Sequence, residues 1–271
     1  MSLKDAIYGF AVGDALGVPV EFYERDTYKI TDMQRGGFYN KEKGTWSDDT
    51  SMTIATCKSI KEKGYIDTKD MLEKYRMWLY YGQFTPDGIT FGIGKTTKKA
   101  LELGYGMSGI MDNGNGSLMR ILPLAFTEKI SDIDIERVSD ITHKNKIPKE
   151  ICKIYVHIAV NLIKKMGKKE SVDNAVINTE YKYLNAISFK TREKIKSTGY
   201  VVDTIEAVIW CFLNSRSYKE TVLNAVNLGD DTDTITALSG GLAGIYYVYK
   251  DIPKNWISEL KNKKIIDESL F

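Results

Sequence analysis

Two short segments of this 271-residue chain crowd carboxylates and hydroxyls into a few positions: Thr45-Trp46-Ser47-Asp48-Asp49-Thr50 and Leu228-Gly229-Asp230-Asp231-Thr232-Asp233-Thr234. Each stands just ahead of an apolar run with helical spacing. One reading is therefore helix capping, because Asp, Ser and Thr accept hydrogen bonds from free first-turn N–H groups and carboxylates suit the positive end of the helix dipole. Capping needs one acceptor, however, and the second segment sets three aspartates in four positions. Without a cation that much like charge repels and raises the carboxyl pKa values, whereas a bound cation makes it favourable. If both helices start on the same face, their carboxylates and hydroxyls could converge. They could then bridge two metals about 3.5–4 Å apart, as in two-metal hydrolysis.

The rest of the ligand inventory narrows the metal. Only two histidines occur, His143 and His157, and the three cysteines (Cys57, Cys152, Cys211) are far apart with no paired spacing. A zinc site of the usual ligand types is nearly excluded, so any metal here takes oxygen ligands, which points to hard cations such as Mg²⁺ or Mn²⁺.

Two further segments carry possible chemistry. In Asn113-Gly114-Asn115-Gly116-Ser117-Leu118-Met119-Arg120, the glycines let the backbone approach an anion. The following apolar run would present helix-start N–H groups to a phosphate. The segment lacks both GK[ST] and the third glycine of GxGxxG, so a purely structural turn fits it as well. Arg120 would pair with a phosphate or with an internal carboxylate. In Gly13-Asp14-Ala15-Leu16-Gly17-Val18-Pro19-Val20-Glu21-Phe22, Gly13 and Gly17 permit close helix packing and Pro19 ends the helix. Glu21 then falls just beyond the end, either on a loop entering a cleft or as an exposed surface glutamate.

These residues must be positioned mainly by helices. Apolar residues recur at three- and four-residue spacing, and the chain has only five prolines. The pattern predicts helices over Leu3–Leu16, from Asp48-Asp49-Thr50 to near Gly64, and over 68–81 with Thr68 as N-cap. Further helices are expected over 149–166, 203–213, 218–227 and 234–248, while Thr27–Gly44 reads as a long loop. No linker, composition shift or repeat divides the chain. The expectation is one all-α domain, residues 1–271, a helical bundle with functional loops at helix starts.

Composition agrees with that architecture: 43% hydrophobic and 27% charged residues are ordinary for a globular chain able to bury a core. A net charge of +2 gives no basis for a general nucleic-acid binder, and the basic run at 261–264 reads as solvated surface. Sparse, odd-numbered cysteines argue against a disulfide framework and for a reducing compartment. Asp5 and Asp14 interrupt the apolar N-terminal stretch, unlike a signal peptide, and no run approaches the ~18 apolar residues of a membrane span. The expected location is the cytoplasm.

All four segments, in this order, resemble the ADP-ribosylglycohydrolase family, over about residues 3 to 250, and Ile141-Thr142-His143 resembles the family's Thr-His element. The resemblance implies an all-α fold of that type with a binuclear Mg²⁺ or Mn²⁺ centre. Its ligands would be Ser47, Asp48, Asp49, Asp231, Asp233 and Thr234, with Asp230 standing where many relatives have glycine. Gly114, Asn115, Gly116 and Ser117 match the loop for the diphosphate and distal ribose, and His143 would lie near the cleft. Glu21 matches the acidic residue near the scissile bond and, with Asp49 and Asp231, forms the implied catalytic set. The implied reaction is metal-dependent hydrolysis of the glycosidic bond between ADP-ribose and an acceptor. That acceptor is a protein side chain, arginine first, or a small molecule, and a monomer of this size would suffice. Two other readings use the same residues: a metal-dependent phosphoesterase, and a non-catalytic ADP-ribose-binding protein. Acceptor choice is expected from the loops Phe22–Gly44 and Gly82–Gly94.

Overall fold

In the computed structural model, which describes residues 1–271, helices carry the architecture and no sheet forms; three isolated bridges are the only β pairing. The helices are α1 (Leu3–Gly17), α2 (Asp48–Lys63), α3 (Thr68–Tyr81), α4 (Lys95–Leu103), α5 (Asp132–Ser139) and α6 (Lys146–Ile163). They continue with α7 (Lys168–Val176), α8 (Val201–Leu213), α9 (Tyr218–Val226), α10 (Thr232–Tyr247), α11 (Lys254–Glu259) and α12 (Lys263–Ser269). A contiguous apolar core of 68 buried residues runs from Leu3 to Ile266, so nothing splits the bundle.

The spine is the antiparallel pair α1 and α10. Every residue of α1 from Ala6 to Gly17 is buried, which explains a sequence that is apolar on all faces rather than striped. Gly9, Gly13 and Gly17 recur every fourth position and let the two backbones touch. A Cβ at Gly13 would sit 2.2 Å from the Thr236 carbonyl oxygen, and one at Gly17 would sit 2.4 Å from Asp233 Cα. Thr232 Oγ1 adds a hydrogen bond to the Gly17 carbonyl (2.9 Å). The last turn of α1 is thereby pinned beside the first turn of α10.

Asp14, also on α1, fixes the start of α2. Its Oδ1 accepts from Ser47 N (2.9 Å), and its Oδ2 accepts from Thr50 N (3.0 Å) and Thr50 Oγ1 (2.6 Å). One buried helix thus positions both aspartate-rich helix starts, which lie far apart in sequence.

Some boundaries differ from the periodicity. The N-cap of α3 is Asp67 rather than Thr68: its carboxylate accepts from Lys69 N (3.0 Å) and Asp70 N (3.2 Å). Helix α6 starts at Lys146, earlier than the pattern suggests, with Pro148 in the first turn where a missing N–H costs nothing. Helix α10 starts at Thr232, which places Asp233 and Thr234 within its first turn. Between α1 and α2 the segment Thr27–Gly44 is a loop with one Gly36–Lys41 bridge, as its mixed composition predicts. No helix is long and apolar enough to cross a membrane.

Candidate metal centre and active-site cleft

The starts of α2 and α10 open into a cleft of about 420 Å³. On one side, single oxygens of Asp48, Asp49 and Asp233 lie within 4.8 Å of one another, and so do single oxygens of Glu21, Asp231 and Asp233. Asp233 belongs to both groups. Glu21, Asp48, Asp49 and Asp233 are buried and Asp231 is half-buried.

The electrostatics are severe. Burial, then the neighbouring aspartates, pushes the carboxyls of Glu21, Asp48, Asp49 and Asp231 above the usual carboxylate range, and burial raises Asp233 too. Some oxygens find local donors: Asp49 Oδ2 accepts from Ser47 Oγ (3.0 Å) and Thr234 Oγ1 (3.3 Å), and Asp231 Oδ2 accepts from Asn115 Nδ2. Asp49 Oδ1 and Glu21 Oε2 are buried with no partner at all. Unpaired buried acceptors are costly unless something electropositive meets them. The all-oxygen donor set and these two orphaned atoms fit hard divalent cations.

Of the residues singled out from sequence, Glu21, Asp48, Asp49, Asp231, Asp233 and Thr234 line this cleft, as do Gly114, Asn115, Gly116 and His143. Ser47 is the N-cap of α2, and its hydroxyl is engaged on Asp49 behind the cleft wall. Glu21 is not the exposed surface residue that its position permits. The main chain of Asp230 holds its loop, accepting from Phe22 N (2.7 Å) and donating to the Tyr23 carbonyl (2.9 Å). Asp230 takes a φ of 65°, the left-handed region where glycine is easiest, and its side chain is exposed.

Three expectations for the glycine loop are corrected. Ser117 is fully buried, and its Oγ accepts from Ser139 Oγ (2.9 Å) and lies 3.6 Å from Cys152 Sγ, so its side chain does not reach the cleft. No α-helix follows the loop, only the 3₁₀ turns Leu118–Arg120 and Leu122–Phe126, because Pro123 removes a donor and restrains Leu122. Arg120 is fully buried and pairs with no carboxylate. Its buried guanidinium stacks over the Tyr75 ring (4.8 Å) and donates to the Gly116 carbonyl and to Thr142 Oγ1 (2.8 Å). It therefore clamps the glycine loop to the Thr142-His143 element.

His143 is 2% exposed, and burial, then the Arg120 charge, pushes its pKa down to about 3. Thr142 Oγ1 accepts from Arg120 and is hydrogen-bonded to His143 Nδ1 at 2.8 Å. The ring is neutral, with Nε2 close to Gly114 and Gly116.

Sequence reasoning missed several site features. Asp14 entered only as an interruption of an apolar run, yet a carboxylate on a helix buried all round was the available signal. Helix α4 was not foreseen. Its start lines the cleft through Lys95, Thr96 and Thr97, and no side chain caps it. Gly92, just before it, packs so close to Asp48 that a Cβ would sit 2.3 Å from Asp48 Oδ1.

The profile of the ADP-ribosylglycohydrolase family matches residues 2–270. An ADP-ribosylarginine hydrolase of Serratia proteamaculans is 33% identical, across 99% of this chain and 78% of the relative. The ADP-ribosyl-(dinitrogen reductase) glycohydrolase of Rhodospirillum rubrum is 30% identical, across 95% of this chain and 90% of the relative. A solved structure titled ADP-ribosylglycohydrolase-related protein complex superposes with a TM-score of 0.80 at 26% identity, covering 98% of this chain and 94% of that one. The chain belongs to the ADP-ribosylglycohydrolase family and is a glycohydrolase.

Proposed function

We propose that this enzyme is a metal-dependent ADP-ribosylarginine hydrolase that releases ADP-ribose from modified protein in the cytoplasm. One observation carries the reading: two overlapping carboxylate groups share Asp233 in a cleft that is also lined by Gly114–Gly116 and the uncapped start of α4. Relatives named for arginine-linked ADP-ribose, at 33% and 34% identity, support the choice of acceptor. The three cysteines are free and buried, which suits a reducing compartment.

Glu21, Asp231 and Asp233 would hold one cation, and Asp48, Asp49 and Asp233, with Thr234, the other; Mg²⁺ and Mn²⁺ suit these ligands. When bound, such cations neutralise the cluster and polarise the oxygens they touch. We assign anion binding to Gly114–Gly116 and the uncapped start of α4. Helix α4 carries Lys95, Lys98 and Lys99 early and no acidic residue in its first turn, the reverse of what the helix dipole favours in isolation. A diphosphate there would meet free N–H groups and positive charge together.

In the reaction, water adds to the anomeric carbon as the bond to the guanidinium nitrogen breaks, and the departing nitrogen takes a proton. The carboxylates of Glu21 and Asp231 stabilise the oxocarbenium-like charge that develops. Glu21 has two oxygens, one for the cation it would share with Asp231 and Asp233 and the other to move the proton, the role we assign it. His143, held neutral by burial, packs its ring against the glycine loop.

Arginine-ADP-ribosylated protein incubated with and without Mg²⁺ or Mn²⁺ tests the reading, with free ADP-ribose followed by mass spectrometry. Metal-dependent release, lost with EDTA and in Asp231→Ala and Asp49→Ala, is the expected result. Cleavage within the diphosphate would identify a phosphoesterase instead, and binding of ADP-ribose without turnover a non-catalytic reader.

A further inference from the structure

The cleft has an unusual rim on its carboxylate side. Phe22, Phe38, Tyr39 and Phe91 form a connected aromatic wall, with ring centroids 5.4 Å apart for Phe22–Phe38, 5.1 Å for Phe38–Tyr39 and 5.0 Å for Tyr39–Phe91. Phe22 and Tyr39 line the cleft itself. Phe22 is 57% exposed and Phe38 71% exposed, so the wall is not core. Phe22 directly follows Glu21 and sits at φ 69°, a left-handed conformation rarely adopted by a bulky residue. The two backbone hydrogen bonds to Asp230 hold it there, which presents the ring beside the scissile-bond carboxylate rather than burying it.

The chemistry of this wall suits a cation. Aromatic faces attract positive charge, and a planar guanidinium stacks on them better than an ammonium does. One ring of the wall already does so: Lys41 Nζ lies 4.2 Å from the Phe91 centroid while paired with Asp87 at 3.0 Å, which neutralises that lysine. The wall also borders Glu21, Asp48, Asp231 and Asp233, which line the same cleft and make this side electronegative. The start of α4, with Lys95, also lines this cleft. The wall therefore combines aromatic faces with adjacent negative charge.

We propose that the Phe22–Phe38–Tyr39–Phe91 wall is the acceptor subsite: it stacks the departing arginine guanidinium and so selects arginine-linked ADP-ribose over neutral acceptors. This rests on the arginine-hydrolase reading and adds the residues that decide the linkage. Phe38 is the informative position, because it is exposed and outside the carboxylate cluster, so its truncation should leave the fold intact.

The test compares wild type with Phe38→Ala and Phe38→Trp on two substrates, arginine-linked ADP-ribose and an ADP-ribose ester of a neutral acyl group. Phe38→Ala should raise KM for the arginine substrate about tenfold with kcat nearly unchanged. It should leave the ester within about twofold, and Phe38→Trp should restore the arginine value. Equal losses on both substrates, or no loss on either, would overturn the wall as acceptor subsite. Calorimetric titration of the metal-loaded protein with agmatine, a guanidinium probe, gives a readout independent of turnover. Agmatine should bind wild type about tenfold more tightly than Phe38→Ala, and equal or undetectable binding to both would also refute the subsite. Failure of wild type to release ADP-ribose from arginine, with this difference in agmatine binding retained, would instead sink the arginine-hydrolase reading alone.

Discussion

At the start of α2, Ser47 caps the helix through its hydroxyl, and Asp14 reaches over from α1 to accept two more N–H groups. At the start of α10, Asp231 occupies the N-cap position but makes no capping bond with its side chain. Its Oδ2 takes Asn115 instead, and Thr232 gives its hydroxyl to the Gly17 carbonyl. The two segments share the Asp-Asp-Thr order, yet they solve different problems. Capping and cation holding compete for the same oxygens. In α2 the two tasks are separated, because Ser47 and Asp14 satisfy N–H groups and leave Asp49 Oδ1 unpartnered toward the cleft. In α10 side-chain capping by the N-cap is given up, and the helix start relies on packing against α1.

The largest expected effect breaks the feature common to both halves. Asp233 contributes to both oxygen groups, so Asp233→Asn should lower metal-dependent turnover by about a thousandfold or more, a loss of several kcal/mol of transition-state stabilisation. The same change removes a buried like charge, so the metal-free protein should melt at a higher temperature than wild type. A variant that loses activity and also melts lower without metal would contradict the repulsion described at the cluster.

Asp14→Ala removes the device that distinguishes α2. It would leave Ser47 N and Thr50 N unsatisfied in the core, at a cost of about 2–4 kcal/mol in urea unfolding. No single side chain at α10 should have a comparable effect through capping. If Asp14→Ala costs less than about 1 kcal/mol, α2 does not depend on this anchor.

Metal and pH sharpen the comparison further. Burial first, then the charge of Asp233, raises Asp14 to about 7 and Asp231 to about 8, above their values in the unfolded chain. A raised carboxyl pKa means the folded state binds more protons, so its contribution to stability is full below the unfolded pKa and lost as pH rises through the folded value. The metal-free protein should therefore lose stability from about pH 4 to about pH 8 on this account. A divalent cation favours the ionised cluster, so its stabilising shift in melting temperature should grow with pH across that window. A shift that shrinks toward alkaline pH would show that the cation binds elsewhere.

Much of this was legible in the chain itself, for identifiable reasons. The long helices, α1 among them, showed because apolar residues recur at helical spacing over many turns. The aspartate clusters stood out because capping cannot use three carboxylates in four residues. What stayed hidden depended on tertiary placement. Asp14 matters only once α1 lies against the start of α2, and Ser117 turns inward because Ser139 and Cys152 wait there. Helix α4 is nine residues long with lysines where a helix start prefers acids, so its sequence argued against it.

The smallest expected effect isolates capping from site chemistry. Ser47→Ala removes the hydroxyl that accepts from Asp49 N (3.3 Å) and donates to Asp49 Oδ2 (3.0 Å). As a cap it should cost about 1 kcal/mol, read as a lower urea midpoint at unchanged slope. Asp14 still holds the main chain of Ser47 and Thr50, so α2 should keep its start. If Ser47 serves α2 mainly as a cap, metal affinity should fall by less than about tenfold and kcat should stay within a few-fold of wild type. A loss of metal binding out of proportion to the loss of stability would move Ser47 from cap to ligand, and the division of labour assigned to α2 would fail.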